Sequence, residues 1–142
     1  MITINGLDHI GIRVSDFKRS IAFYRRFGFE VIREDFIERV IVLRHVSGTV
    51  LNLLDFVDPS AKERNVLMDN EVKYAGYTHI ALRVIDILHV MNYLTVLEIL
   101  ITEGPVVFGD GKTSIFIRDP DRNVIEFTQL PLGHKTRQEV TK

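Results

Sequence analysis

An eleven-residue segment of this chain recurs seventy positions later with six positions identical, and each copy carries a histidine at the same place. Gly6-Leu7-Asp8-His9-Ile10-Gly11-Ile12-Arg13-Val14-Ser15-Asp16 returns as Gly76-Tyr77-Thr78-His79-Ile80-Ala81-Leu82-Arg83-Val84-Ile85-Asp86. The glycine, the histidine, an isoleucine, the arginine, a valine and the aspartate are the same in both. A duplication narrows the fold more than any local propensity, because both copies must form the same unit. The spacing of each copy predicts a strand. Ile10, Ile12 and Val14 share one face and His9, Gly11 and Arg13 the other. Ile80, Leu82 and Val84 repeat the apolar face; His79, Ala81 and Arg83 repeat the second.

The elements after each strand are repeated too. Ser15 or Asp16 caps a helix whose stripe is Phe17, Ile21 and Tyr24, with Gly28 as its stop. Asp86 opens the second helix, with Ile87, Met91 and Leu94 on the buried side. Three strands are expected after each helix: Phe29 to Arg33, Arg39 to His45 and Thr49 to Phe56, then Glu98 to Thr102, Ser114 to Arg118 and Asn123 to Gln129. Gly48, Gly109-Asp110-Gly111 and Pro120-Asp121 supply turns. The reading is α+β, with two βαβββ modules in tandem, residues 5–57 and 76–130. A polar linker, 58–75, joins them within one domain, 1–132, and a polar tail, 133–142, comes last. A helix on one face of each sheet leaves the other face to line something, and two such sheets side by side make a half-open, barrel-like cup.

Composition excludes several classes. With 46% hydrophobic and 26% charged residues the chain has an ordinary globular balance. A net charge of -1 gives no footprint for nucleic acid or anionic lipid. There is no cysteine, so disulfides, thiolate metal sites and cysteine nucleophiles are absent together. No signal peptide or membrane span is read, and a cytoplasmic location is expected.

Asp119-Pro120-Asp121-Arg122-Asn123-Val124-Ile125-Glu126-Phe127 places a carboxylate, Glu126, between two apolar strand residues and on the opposite face. Two histidines and a carboxylate, His9, His79 and Glu126, are a donor set for a divalent metal with open positions. The alternatives are packing histidines and a glutamate paired to an arginine. Arg13 and Arg83 lie on the histidine faces, suited to an anionic substrate group or to salt bridges with Asp16 and Asp86. Tyr24 reads as core, and His45, His89 and His134 as surface or loop residues. Gly109-Asp110-Gly111-Lys112 reads as a hairpin turn and not as a phosphate loop.

The two histidine strands, Ser20-Ile21-Ala22-Phe23-Tyr24 with Phe27-Gly28-Phe29, and the Asp119 to Phe127 segment together resemble the vicinal oxygen chelate superfamily. That superfamily includes glyoxalase I, extradiol dioxygenases, fosfomycin-resistance enzymes and bleomycin-resistance proteins. The resemblance covers residues 5 to 130 and implies paired modules forming a cup with a divalent metal at its base. His9, His79 and Glu126 then fall on three ligand places. Asn52 falls on the fourth, where four-ligand members carry Glu or Gln, as a weaker ligand or one acting through water. The set implied is two histidines and one carboxylate, with iron(II) or manganese(II) favoured over zinc(II) or nickel(II). The activity implied is a dioxygenase-like reaction on a small oxygen-bearing substrate through bidentate chelation. A metal-free, bleomycin-resistance-like binding protein and a glyoxalase- or epimerase-type lyase or isomerase are the alternatives. A homodimer is implied as the assembly.

Overall fold

A computed structural model describes residues 1–61 and 64–133. His134, the rest of the expected tail and Lys62 and Glu63 of the linker lie outside the described residues. The chain divides into two compact units, Met1–Arg64 and Asn65–Lys142.

The first unit contains β1 (Ile10–Arg13), α1 (Phe17–Arg25), β2 (Glu30–Asp35), β3 (Val40–Arg44) and β4 (Val50–Leu54). Its sheet has the order β1-β4-β3-β2, with β1 parallel to β4 and the other pairs antiparallel. The helix carries β1 into a crossover, so the first strand lies beside the last, as a parallel pair requires. Asp16 caps α1, accepting from the Arg19 amide at 3.2 Å. The chain leaves the helix through Gly28 at φ 89°, where a Cβ would come within 3.1 Å of the His45 ring. The buried stripe of α1 is Ser20, Phe23 and Tyr24, not Phe17, Ile21 and Tyr24. Phe17 and Ile21 are half-buried because the core-facing arc centres one position over. There Phe23 and Tyr24 meet edge to face at 5.1 Å, and Tyr24 meets Phe29 at 5.9 Å. Leu43, Leu51 and Leu53 complete this core and are fully buried.

The second unit repeats the plan with β5 (His79–Val84), α2 (Ile87–Val96), β6 (Glu103–Val107), β7 (Thr113–Arg118) and β8 (Val124–Gln129). Its order is β5-β8-β7-β6, again with the first and last strands parallel. Neither sheet closes on itself; each has two edges. Asp86 caps α2 through the amides of Leu88 and His89, and the Gln129 side chain accepts from the Ile87 amide at 2.8 Å. Ile87 and Leu94 are buried under the helix, against the sheet face that carries the buried Ile115, Ile117, Ile125 and Phe127.

One strand is displaced from its expected place. Glu98 to Thr102 is not β6. Glu98 takes φ 58°, and the Ile99 amide returns to the Leu94 carbonyl at 2.9 Å, so these residues form the helix exit. The strand runs instead through Gly104 and Pro105, which read locally as breakers. β6 is an edge strand with a register shift between Glu103 and Val106, and an edge with a bulge tolerates proline. Gly104, at φ 94°, passes so close to the Ser114 carbonyl that a Cβ would lie 2.6 Å away.

Residues 65 to 69, expected as linker, are tied to the second unit. Asn65 Oδ1 accepts from the Leu67 and Met68 amides, an Asx-type turn. Its Nδ2 donates to the Arg122 carbonyl at 3.2 Å. Asp69 accepts from Arg118 and Arg122 at the β7–β8 turn. The turn Gly109 to Lys112 is the expected hairpin, closed by Phe108 N–H to the Lys112 carbonyl at 2.9 Å.

Candidate metal centre

The register of the two sheets sets the candidate residues on equivalent places. Gly11 of β1 lies opposite Asn52 of β4, and Ala81 of β5 lies opposite Glu126 of β8. Residues facing each other across paired strands share a face. Glu126 therefore stands on the face of His79, Ala81 and Arg83, opposite the buried Ile125 and Phe127. Asn52 stands on the face of Gly11 and Arg13. The small residue at the centre of each first strand leaves room beside the longer side chain opposite.

In the second unit the histidine and the carboxylate meet. His79 Nε2 lies 3.3 Å from Glu126 Oε2, with the side chains 37% and 12% exposed. Among the described residues the Glu126 side chain has no hydrogen bond and no other ion-pair partner. The Phe116 ring stands edge-on to the imidazole at 6.0 Å. Two donors bound to one ion at about 2.1 Å are separated by about 3.0 Å at a right angle and about 3.4 Å at the tetrahedral angle. The observed spacing falls in that interval, and a neutral nitrogen with a carboxylate oxygen is a suitable donor pair for a divalent ion. Among the described residues, no group of three or more His, Asp or Glu side chains is gathered that could hold an ion.

The other nitrogen of each imidazole is engaged by the residue just before it. His9 Nδ1 lies 2.7 Å from Asp8 Oδ2, and His79 Nδ1 lies 2.9 Å from Thr78 Oγ1. A carboxylate only accepts, so His9 Nδ1 carries the proton there, and a neutral His9 offers Nε2 as its donor atom. A metal-binding histidine has this arrangement, with its second ring nitrogen donating to an oxygen that orients it. Asp8 and Thr78 were not singled out by composition or spacing. The signal available was their position before each repeated histidine, in a type able to accept a hydrogen bond. The Asn52 side chain makes no hydrogen bond with any described residue.

Arg13 and Arg83 are exposed. The salt bridges expected for them are absent: Asp16 and Asp86 spend their carboxylates on helix caps. Neither guanidinium has a hydrogen bond or ion pair with a described residue. Arg118 shares the face of Glu126 by register but is held by Asp69, with Nη2 3.1 Å from Oδ1. Hydrogen bonds from Arg122 are the main cause that holds the Asp69 carboxyl well below its ordinary 3.8. The Asn65 amide and Arg118 help, while desolvation opposes them. The sequence contains no periodic cue to this cluster, because its members are about fifty residues apart.

Comparison with known proteins gives the same outline. A family model described as the Glyoxalase/Bleomycin resistance protein/Dioxygenase superfamily matches residues 6–127. No curated protein matches the chain. Among solved structures, a virulence protein from Salmonella typhimurium is 27% identical, covering 91% of this chain and 99% of that one, with a TM-score of 0.65. A glyoxalase/dioxygenase from Nostoc punctiforme is 20% identical over 89% of this chain and 92% of that one, with a TM-score of 0.68. A lactoylglutathione lyase from Agrobacterium tumefaciens is 22% identical over 89% and 94%, with a TM-score of 0.62. At the identities of these last two, the likeness is one of fold.

Proposed function

We propose that this chain, which belongs to the Glyoxalase/Bleomycin resistance protein/Dioxygenase superfamily, is a divalent-metal-dependent enzyme acting on a small substrate with adjacent oxygen atoms. The observation that carries the reading is the approach of His79 Nε2 to Glu126 Oε2 at 3.3 Å. Two electron-rich atoms at that distance repel unless a proton or a cation lies between them. With Nδ1 donating to Thr78 Oγ1, a neutral His79 turns its Nε2 lone pair toward Glu126, where a cation would bridge the two.

His79 and Glu126 would hold the ion, and His9, oriented through Nδ1 by Asp8, is the further donor. A bound divalent ion would supply Lewis acidity to the substrate oxygens. The chain's own residues set the conditions for that chemistry. Glu126 contributes a single negative charge, and neutral Asn52 adds none at the equivalent place. The set therefore leaves a divalent site one unit positive, which favours an anionic, chelating substrate. Asn52 is short for a direct fourth ligand and suits a role through water. Nitrogen and oxygen donors of this kind suit iron(II) or manganese(II), with zinc(II) and nickel(II) also compatible. The reaction most in keeping with two histidines and one carboxylate is dioxygenase-like. The assembly proposed is a homodimer, checked by sedimentation velocity.

The test is elemental analysis of protein purified without chelator, beside His79→Ala and Glu126→Gln. About one equivalent of metal in the native protein, lost in both variants, is the expected result. Native protein with no metal, taking none up on reconstitution, would overturn the reading. A ligand-binding protein of the superfamily's bleomycin-resistance kind would then be the better account.

A further inference from the structure

Arg83 is the one arginine of the His79 face whose charge the fold leaves unanswered among the described residues. Five charged or ionisable side chains share that face by register with β8, β7 and β6: His79, Arg83, Glu126, Arg118 and, on the far edge strand, Glu103. His79 and Glu126 are engaged with each other, and Arg118 is engaged with Asp69. Asp86, the carboxylate nearest Arg83 in sequence, accepts from two α2 amides. The guanidinium is thus an exposed five-donor fork with no described acceptor.

A second donor lies beside it. Arg83 pairs in register with Thr128 of β8. The buried Ser114 hydroxyl donates to Thr128 Oγ1 at 2.9 Å, which fixes that oxygen as an acceptor and leaves its own O–H to donate elsewhere. The Thr128 hydroxyl has no other hydrogen bond with a described residue. In the first unit the residue paired with Arg13 is Leu54, which has no such donor. The second unit alone combines the guanidinium with a neighbouring hydroxyl.

We propose that Arg83 and Thr128 form an anion-binding subsite for a carboxylate, phosphonate or phosphate group of the substrate. The guanidinium offers its paired N–H groups to two oxygens of the anion and the Thr128 hydroxyl adds one more donor. The proposal rests on the functional reading above and narrows its substrate class. Arg83 lies two residues along β5 from Ala81, which faces Glu126, a rise of about 6.6 Å. A substrate that reaches both places is a compact acid, with paired oxygens at one end and an oxyanion at the other. The separation between them is about 6 to 10 Å once the reach of the arginine is included.

The experiment titrates methylphosphonate into the full-length, chelator-treated protein at constant ionic strength, following arginine Nε–H and backbone amide shifts by NMR. Saturable shifts at Arg83 and in β5 and β8 are expected. Arg83→Gln should weaken binding at least tenfold, and Thr128→Val several-fold. Arg83→Lys, which keeps the charge and loses the fork, should fall between the native protein and Arg83→Gln. Unchanged affinity in Arg83→Gln, or no saturable shift in the native protein, would overturn the subsite. Because the titration is run without metal, it stands or falls separately from the metal content of the native protein, and that content should be unaltered in Arg83→Gln.

Discussion

Replacing Asp69 with asparagine isolates the contribution of the cluster that fastens residues 65 to 69 to the β7–β8 turn. The carboxylate accepts from Arg122 Nε at 2.9 Å, from Arg118 Nη1 at 3.2 Å and from the Asn65 amide at 3.1 Å. Asparagine keeps the shape, but its NH2 group must face two guanidinium groups that need acceptors. Asp69 and Arg118 are only 20% and 18% exposed, so their hydrogen bonds are charge-assisted and weakly screened. Arg122 is nearly half exposed, and water screens its share. Counting chiefly the Arg118 and Asn65 contacts, the loss is about 2 kcal/mol. For a chain of this size that lowers Tm by about 6 °C. The pH dependence comes from the lowered pKa. Asp69 titrates below its ordinary 3.8 when folded, so its stabilisation is full above the unfolded value. It is lost as pH falls through the lower folded value. Thermal unfolding of both proteins from pH 7 to pH 2.5 should show a gap that is constant to about pH 5 and then narrows. A Tm unchanged by Asp69→Asn at pH 7, or a gap that does not narrow in acid, would refute the reasoning.

Single contacts carry the other expectations. Asp86→Ala removes the acceptor for the Leu88 and His89 amides and should cost about 1 kcal/mol by urea unfolding. An unchanged midpoint would refute the cap. Leu94→Ala, at a fully buried position, should cost about 3 kcal/mol, and a loss below about 1 kcal/mol would mean that α2 is not seated as described. Gly104→Ala forces a Cβ to within 2.6 Å of the Ser114 carbonyl at a positive φ. It should lower stability and perturb the β6 and β7 amide shifts, where unaltered spectra would contradict the close approach. Asp8→Ala should weaken metal binding by about tenfold or more. Equal affinity in that variant would show that His9 needs no oriented partner.

The repeat is enough to derive two βαβββ modules, because period-2 alternation, a capping aspartate and turn residues are all local signals that agree with one another. It also puts His9 and His79 at equivalent places, His9 just before β1 and His79 opening β5, and sets Glu126 opposite an apolar face. The registers Gly11–Asn52 and Ala81–Glu126 match Asn52 to Glu126 as the sequence does. Where neighbours in sequence disagree with neighbours in space, local reading fails. Gly104 and Pro105 look like breakers, yet an edge strand can carry them. Arg13 and Arg83 look like partners for Asp16 and Asp86, yet the helix amides claim those carboxylates first, because unsatisfied helix termini are nearby and fixed. Only the tertiary structure decided that His79 and Glu126 stand 3.3 Å apart and that Asp69 holds Arg118. These pairs lie about fifty residues apart in the chain, and no periodicity reaches that far; sheet pairing and side-chain packing bring them together.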